Sequence, residues 1–258
     1  MTTTHDPGLV SAELVAMTRA LGGADRDLAI LAEGNTSERL EDGRLVVKTS
    51  GSRMQDVTGR DFVAVEMSEL TELLASANST QADLTDALDA GEVDGRRRRG
   101  SIETLVHVAV QAVRPSVFVG HTHPTAVVGL LASKHAATAF DRTAYSDEAV
   151  VIGRPLFVPY AEPGIDLGKL VHRCLVDRME AIDDFPHLIL LGNHGIIATA
   201  DTTAGVEAIS QMAVKAARVR TIALSVGGLR PLPPQAVDKF FERSDITERR
   251  DNIARGRL

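Results

Sequence analysis

His121-Thr122-His123 follows the apolar run Ser116 to Gly120. In extended chain, residues i and i+2 project to the same face, so both imidazoles can reach a single ion. The pair taken alone is equally well read as two surface or capping histidines. His194 lies in Leu190-Leu191-Gly192-Asn193-His194-Gly195, a turn whose glycines leave little side chain between an imidazole and a neighbouring ligand. It also reads as a turn residue tolerant of unusual backbone angles. Three histidines together would make an open, zinc-like site. Glu103 falls in the first turn of the helix expected after Ser101. A carboxylate there gains about 0.3–1 kcal/mol from the helix dipole whatever its role. Facing a metal pocket, it could bind the ion or carry a proton. His107, one turn further on, shares that face as a fourth ligand or, in the preferred reading, a hydrogen-bond partner of a ligand.

Two further segments, Gly34-Asn35-Thr36-Ser37 and Lys48-Thr49-Ser50-Gly51-Ser52, are small, polar and rich in exposed amides. Such segments cradle oxyanions with backbone N–H groups and hydroxyls, and together they suggest a phosphate or carboxylate pocket. Arg96-Arg97-Arg98-Arg99 follows the acidic stretch Asp83 to Asp94. It reads first as a solvated loop in which acids and arginines offset one another, and second as an arginine gate for an anionic substrate.

The elements that must position these residues follow from hydrophobic spacing. Leu14, Val15, Met17 and Leu21 predict a helix over Ser11–Leu21, stopped by Gly22-Gly23. A hairpin follows, Ser37–Leu40 and Arg44–Thr49 about an Asp42-Gly43 turn, and then a strand over Asp61–Met67. From Glu69 to Gly100 the composition predicts one or two helical turns within a loop-rich excursion. Ser101 is expected to cap a helix over Ile102–Val113, which Arg114-Pro115 ends. Beyond the Ser116–Gly120 strand, Pro124–Ala132 is predicted helical, and Ala149–Val158 forms one or two strands around Gly153-Arg154-Pro155. Ile165–Ile182 is an amphipathic helix, His187–Leu191 and Gly195–Ala200 are strands, and Thr203–Ser225 is a long helix. A proline-rich tail from Leu229 closes in a charged helix. No repeat or boundary divides the chain, so residues 1–258 are expected to form a single α/β domain, helices on a largely antiparallel sheet.

The 258 residues are 44% hydrophobic, enough for a sizeable core. A formal charge of −7 argues against nucleic acid or an anionic membrane as a main partner, since both demand a dense positive field. Met1 to Gly8 lacks the apolar run of a signal peptide and no segment is long enough to span a bilayer, so the expectation is a cytoplasmic protein. Cys174, the single cysteine, forms no intramolecular disulfide, which suits a reducing compartment.

Taken in order, Gly34-Asn35-Thr36-Ser37, Thr49-Ser50-Gly51, Ser101-Ile102-Glu103, His121-Thr122-His123-Pro124 and Asn193-His194-Gly195 resemble the class II aldolase/adducin family, from about Leu14 to Ser225. The resemblance implies a three-layer α/β/α fold with residues 229–258 as a C-terminal tail. It also implies one divalent metal per chain on His121, His123 and His194, zinc first with manganese or cobalt as alternatives, and Glu103 as the catalytic carboxylate. Asn35, Thr36, Ser50, Gly51 and Ser101 become the residues expected to hold a small anionic or hydroxylated substrate. The expected assembly is a homotetramer with active sites at subunit interfaces. Tyr145, fifteen residues before Tyr160, matches the placing of the tyrosine that donates a proton across the interface in fuculose-phosphate aldolase.

Two departures bear on the substrate. Ser101-Ile102 stands where the phosphate-sugar aldolases carry two serines, and no tyrosine follows Tyr160. The reaction class expected is metal-dependent carbon–carbon cleavage through an enediolate, with aldol cleavage ahead of decarboxylation of a β-keto or hydroxy-aromatic acid and of sugar-phosphate 4-epimerisation. Metal-assisted hydrolysis and an adducin-like scaffold that has lost its ligands are the rivals from other classes.

Overall fold

The computed structural model describes residues 3–257; Met1, Thr2 and Leu258, which the single-domain expectation includes, lie outside the described residues. After a short strand β1 (Thr3–Thr4), helix α1 (Ala12–Leu21) starts where Ser11 Oγ accepts the Leu14 amide at 3.0 Å and buries Leu14, Met17 and Leu21 on one face. Strands β2 (Asn35–Arg39), β3 (Leu45–Lys48) and β4 (Phe62–Val65) form an antiparallel meander. The turn between β2 and β3 holds because Gly43 takes a φ of 89° and Asp42 accepts the Arg44 amide.

The segment expected to be loop-rich is instead helices α2 (Met67–Ala75) and α3 (Gln81–Ala87) and a hairpin of β5 (Asp89–Val93) with β6 (Arg96–Arg99). A reciprocal cap explains α3: Thr80 accepts the Asp83 amide while the Asp83 carboxylate accepts from Thr80 N at 2.7 Å. The four arginines are therefore a strand and not a solvated loop.

Helix α4 (Thr104–Val113) begins two residues later than predicted, since Ser101 O takes both the amide and hydroxyl of Thr104 and leaves Glu103, not Ser101, in the capping position. Strand β7 (Phe118–Thr122) and helix α5 (Thr125–Leu131) follow. Residues 146–152 are helix α6 (Ser146–Ile152) and not strand, and only β8 (Leu156–Val158) is extended. The β-branched run there suggests a strand, but an ion pair fixes the helix. The Arg220 guanidinium, 1% exposed, grips Glu148 at 2.5 and 2.9 Å and donates to the carbonyls of Ala139 and Arg142. Gly153, at φ 71°, ends it. Helix α7 (Ile165–Ile182), strands β9 (Leu188–Leu191) and β10 (Gly195–Ala200) and helix α8 (Thr203–Ser225) keep their expected bounds to within a residue. The tail carries α9 (Pro234–Phe241) and α10 (Ser244–Ala254), two helices where one was expected.

One eight-stranded sheet runs β1-β4-β3-β2-β7-β10-β9-β8, antiparallel throughout except for the parallel edge pair β8 and β9. Alternation splits the core in two. Leu188 and Leu190 pack with α1, α5 and α8 residues such as Met17, Val127 and Ile209, while Ile189 and Leu191 pack on the opposite face with α2, α4 and α7 residues such as Leu70, Leu105 and Val171. Each such buried aliphatic side chain contributes about 1.5–3 kcal/mol. The expected three-layer α/β/α fold results, its mixed sheet largely antiparallel. Among the described residues no helix is long and apolar enough to cross a membrane.

Candidate metal centre

Strands β2, β7 and β10 lie side by side at the sheet centre, and one row across them sets Asn35 opposite His121 and His121 opposite Ile197. Pairing fixes side-chain parity, so Asn35 and His121 face the α4 layer together. His121, 1% exposed, donates from Nδ1 to Ile196 O at 2.9 Å, which turns Nε2 into the site. His123 continues just past the strand end, its amide held by Leu28 O at 2.8 Å and its Nδ1 by Glu33 Oε2 at 3.0 Å.

His194 arrives from the turn between β9 and β10. Asn193 takes a φ of 54°, its amide donates to Leu131 O, and the His194 amide closes onto Leu191 O at 3.1 Å. Gly195 makes the approach feasible: a Cβ there would stand 2.4 Å from Thr122 O and 2.6 Å from His123 Cδ2. The ring centroids of His121, His123 and His194 consequently lie 4.7–5.0 Å apart.

Glu103 closes the cluster from the N-terminal end of α4, with Oε1 2.8 Å from His194 Nε2 and Oε2 3.2 Å from His121 Nε2. Asn35 Nδ2 donates to both Glu103 Oε2 and Ser101 Oγ, at 3.0 and 3.1 Å. Burial pushes the Glu103 carboxyl up, but the charge and hydrogen bonds of His121 and His194 outweigh it and hold the group well below the usual carboxylate range. Burial likewise disfavours an imidazolium at His121, yet Glu103 more than offsets it and raises that group. His123 is pushed down to about 4, first by burial and then by the charge on His121.

These donors fit a divalent cation. His121 Nε2 and His123 Nε2 are 2.9 Å apart while both Nδ1 atoms are engaged elsewhere, so two lone pairs converge unless a proton or a cation lies between them. One ligand atom from each of Glu103, His121, His123 and His194 falls within 4.8 Å of the others. Imidazole nitrogens with a carboxylate oxygen are a donor set suited to zinc and its neighbours. Beside the cluster opens a cavity of about 450 Å³ lined by His123, His194, Glu33, Asp27, Ala29, Ile30 and Val128.

The other expected residues divide. Asn35 and Ser101 join the cluster, and Ser50 and Gly51 form an exposed loop tip, Gly51 at φ 83°. Thr36 does not: it is fully buried on the opposite sheet face, its hydroxyl bonded to Thr18 Oγ1 at 2.5 Å, because strand parity turns it toward α1. His107 neither ligates nor supports a ligand. It is bonded through Nδ1 to Ser37 Oγ at 2.7 Å, and burial, then the charge on His121, push it down to about 3, which keeps it neutral. Tyr145 lies outside the cluster, its hydroxyl donating to Met212 Sδ at 2.9 Å and its ring 5.5 Å from Lys215 Nζ.

Two further residues bear on the cluster. Glu33 orients His123 and also accepts the Ile30 amide, and the only sequence signal is a carboxylate just before Gly34-Asn35. Lys48 is 1% exposed, its ammonium held by Ser52 O at 2.6 Å and Thr49 O at 3.1 Å. Burial pushes it down to about 8, against the pull of Asp61 and Glu103.

The family model for the class II aldolase and adducin N-terminal domain matches residues 12–221. The chain is 27% identical over 201 residues to the uncharacterized oxidoreductase YuxG of Bacillus subtilis (strain 168), a match covering 74% of this chain but only 26% of that protein. The chain thus spans about a quarter of that curated relative's length. Among solved structures it resembles the N-terminal class II aldolase domain of a conserved protein from Thermoplasma acidophilum (26% identity, TM-score 0.60, covering 80% of this chain and 91% of that one). In fold it also matches YgbL, a putative aldolase/epimerase/decarboxylase from Klebsiella pneumoniae (20%, TM-score 0.65, 88% and 95%). An L-fuculose 1-phosphate aldolase is a further match in fold (19%, TM-score 0.64, 90% and 96%).

Proposed function

Because the chain belongs to the class II aldolase and adducin family, we propose that it is a metal-dependent carbon–carbon lyase, an aldolase acting on a hydroxy-ketone sugar or sugar acid. The observation that carries this reading is the convergence of three imidazole nitrogens and the Glu103 carboxylate beside an open cavity. A hydrolase needs only a metal-activated water. The buried carboxylate against the ligands, and the Asn35 amide that steadies it, suit proton transfer to and from carbon better.

His121, His123 and His194 would hold one divalent ion, zinc by ligand type. When bound, such an ion supplies Lewis acidity that neutralises negative charge developing on a substrate carbonyl oxygen. Glu103, kept ionised at neutral pH, accepts the proton of the hydroxyl whose carbon–carbon bond breaks, and an aldehyde departs. The same carboxyl returns the proton to carbon on the fragment that remains. Asn35 Nδ2 orients Glu103, and its Oδ1, buried with no partner, is an acceptor free for a substrate hydroxyl. Ser101, Ser50 and Gly51 receive the anionic or hydroxylated end. Tyr145 is assigned to the site of a neighbouring copy in a homotetramer, and the chain to a single cytoplasmic domain.

The test is a panel of free and phosphorylated ketoses and β-keto acids, incubated with metal-loaded protein and scored for aldehyde and for carbon dioxide. Aldehyde release is expected. Carbon dioxide alone would move the assignment to a decarboxylase, and hydrolysis of simple esters with neither product would end the lyase reading.

A further inference from the structure

The loop from α1 to β2 walls the cavity beside the cluster and is tied to the cluster at two points. Leu28 O holds the His123 amide at 2.8 Å, and Glu33 Oε2 holds His123 Nδ1 at 3.0 Å. Those contacts bring Asp27, the residue before Leu28, into the same cavity as His123 and His194. Asp27 takes a φ of 55°, a left-handed conformation that aspartate accepts more readily than most residues. Its Oδ1 receives the hydroxyl of Thr125 at 2.7 Å, so the first residue of α5 fixes the carboxylate in place.

The two carboxylates of this cavity are not equivalent. Glu33 spends both oxygens on the protein, Oε1 on the Ile30 amide at 2.7 Å and Oε2 on the His123 ring. Asp27 spends one, and its Oδ2 has no partner among the described residues. No lysine or arginine among the described residues lines the cavity, whose other walls include Ala29, Ile30, Val128 and Gly129. A substrate arm reaching past the histidines therefore meets aliphatic walls, one free carboxylate oxygen and the Thr125 oxygen. Hydroxyl groups donate to such oxygens, whereas a terminal carboxylate or phosphate brings like charge against Asp27 with no basic side chain to offset it.

Resting on the lyase reading, we propose that Asp27 is a specificity-determining residue: its free carboxylate oxygen receives hydroxyl groups on the substrate arm that runs from the cluster into this cavity, and its charge rejects an anionic group there. The substrate class so selected carries a neutral, polyhydroxylated chain on that arm. Thr125 is a positioning residue, acting through its hold on the Asp27 carboxylate.

The probes are hydroxamates of equal chain length, which chelate a divalent ion through a shared head group: butanohydroxamate, its analogue with hydroxyls on the two far carbons, and the half-hydroxamate of succinate. Each is titrated calorimetrically into metal-loaded wild-type protein, Asp27→Asn, Thr125→Val and Asp25→Asn. Circular dichroism and metal content, both expected unchanged, verify each variant. Affinities are read as ratios to butanohydroxamate, so that effects on the head group cancel. Wild type should bind the dihydroxy probe roughly tenfold tighter than the plain one, the scale of one charge-assisted hydrogen bond, and the succinate probe more weakly than either. Asp27→Asn should remove most of the dihydroxy preference and bring the succinate probe up to the plain one, with Thr125→Val between. Asp25→Asn deletes the same charge at an exposed position of the same loop and should match wild type. Equal ratios in wild type and Asp27→Asn overturn the proposal, as does an equal change in Asp25→Asn; a wild type that prefers the succinate probe overturns it whatever the variants do. Binding of no probe overturns it together with the metal site on which the lyase reading stands. If the ratios change as expected but no substrate is turned over, the lyase reading fails alone; if substrates are turned over and the ratios do not change, only Asp27 loses its role.

Discussion

His121 Nε2 and His123 Nε2 face each other at 2.9 Å, each ring steered there by a bond at its opposite nitrogen, to Ile196 O and to Glu33. Neither imidazole can turn away without giving up that bond. His123→Ala should therefore lower bound metal well below one ion per chain, measured by elemental analysis of dialysed protein. An unchanged content would remove His123 from the ligand set.

Glu33→Gln replaces the charged acceptor at His123 Nδ1 with a neutral amide. Partners of this kind raise ligand basicity and fix the ring, so metal affinity should fall roughly 10- to 100-fold with the fold intact. Competition with a chelator of known strength measures it, and an unaltered affinity would make the Glu33 contact incidental.

Glu103→Gln keeps a side chain of the same shape and its contact with Asn35. Metal should stay bound while turnover drops by about 10²–10⁴-fold, the usual range for loss of a general base. Near-normal rates would assign the proton transfer to another group.

Lys48 gives a pH signature. Its folded pKa of about 8 lies below the ordinary 10.5, so between those values the unfolded chain binds more protons than the folded one. Stability must then rise with pH across that window, and below it the buried ammonium costs up to about 3 kcal/mol. Lys48→Met should be more stable than wild type near pH 7, with the difference shrinking toward pH 10.5. Urea unfolding at both ends of the window measures it, and a pH-independent difference would contradict the assignment.

Arg220→Met leaves Glu148 buried with a single backbone amide, from Ala144, in place of the guanidinium fork. Stranding one member of such a pair costs about 3–5 kcal/mol, read as a lowered thermal midpoint. The loss should fall on residues 139–152, so hydrogen exchange should quicken there first.

How legible the molecule was depended on how far each contact reaches. Helices α7 and α8 follow from apolar residues at helical spacing, and the gathering of His121, His123 and His194 in one cluster from strand alternation and a glycine turn, all within a few residues. Gly34 to Ser37 reads as a turn, which leaves Thr36 free to face substrate; with β2 beginning at Asn35, parity sends Thr36 to the far face instead. Glu33 meets His123 across ninety positions, and no local pattern encodes that pairing. Between Glu69 and Gly100 the elements are too short for periodicity, and the α6 run, rich in β-branched residues, is held helical by Arg220, seventy-two positions away from Glu148.

The row Asn35, His121, Ile197 has a consequence for how errors in this protein would show themselves. A slip of one position between β7 and either neighbour exchanges inner and outer side chains, sending His121 into the helix layer of α1 and α8 and bringing Gly120 or Thr122 to the α4 side. A mispaired molecule is then left without a complete set of ligands, not with a distorted one. Stoichiometric metal uptake would therefore act as a built-in proofreader of strand pairing, separating correctly assembled chains from compact but misaligned ones before any substrate is added.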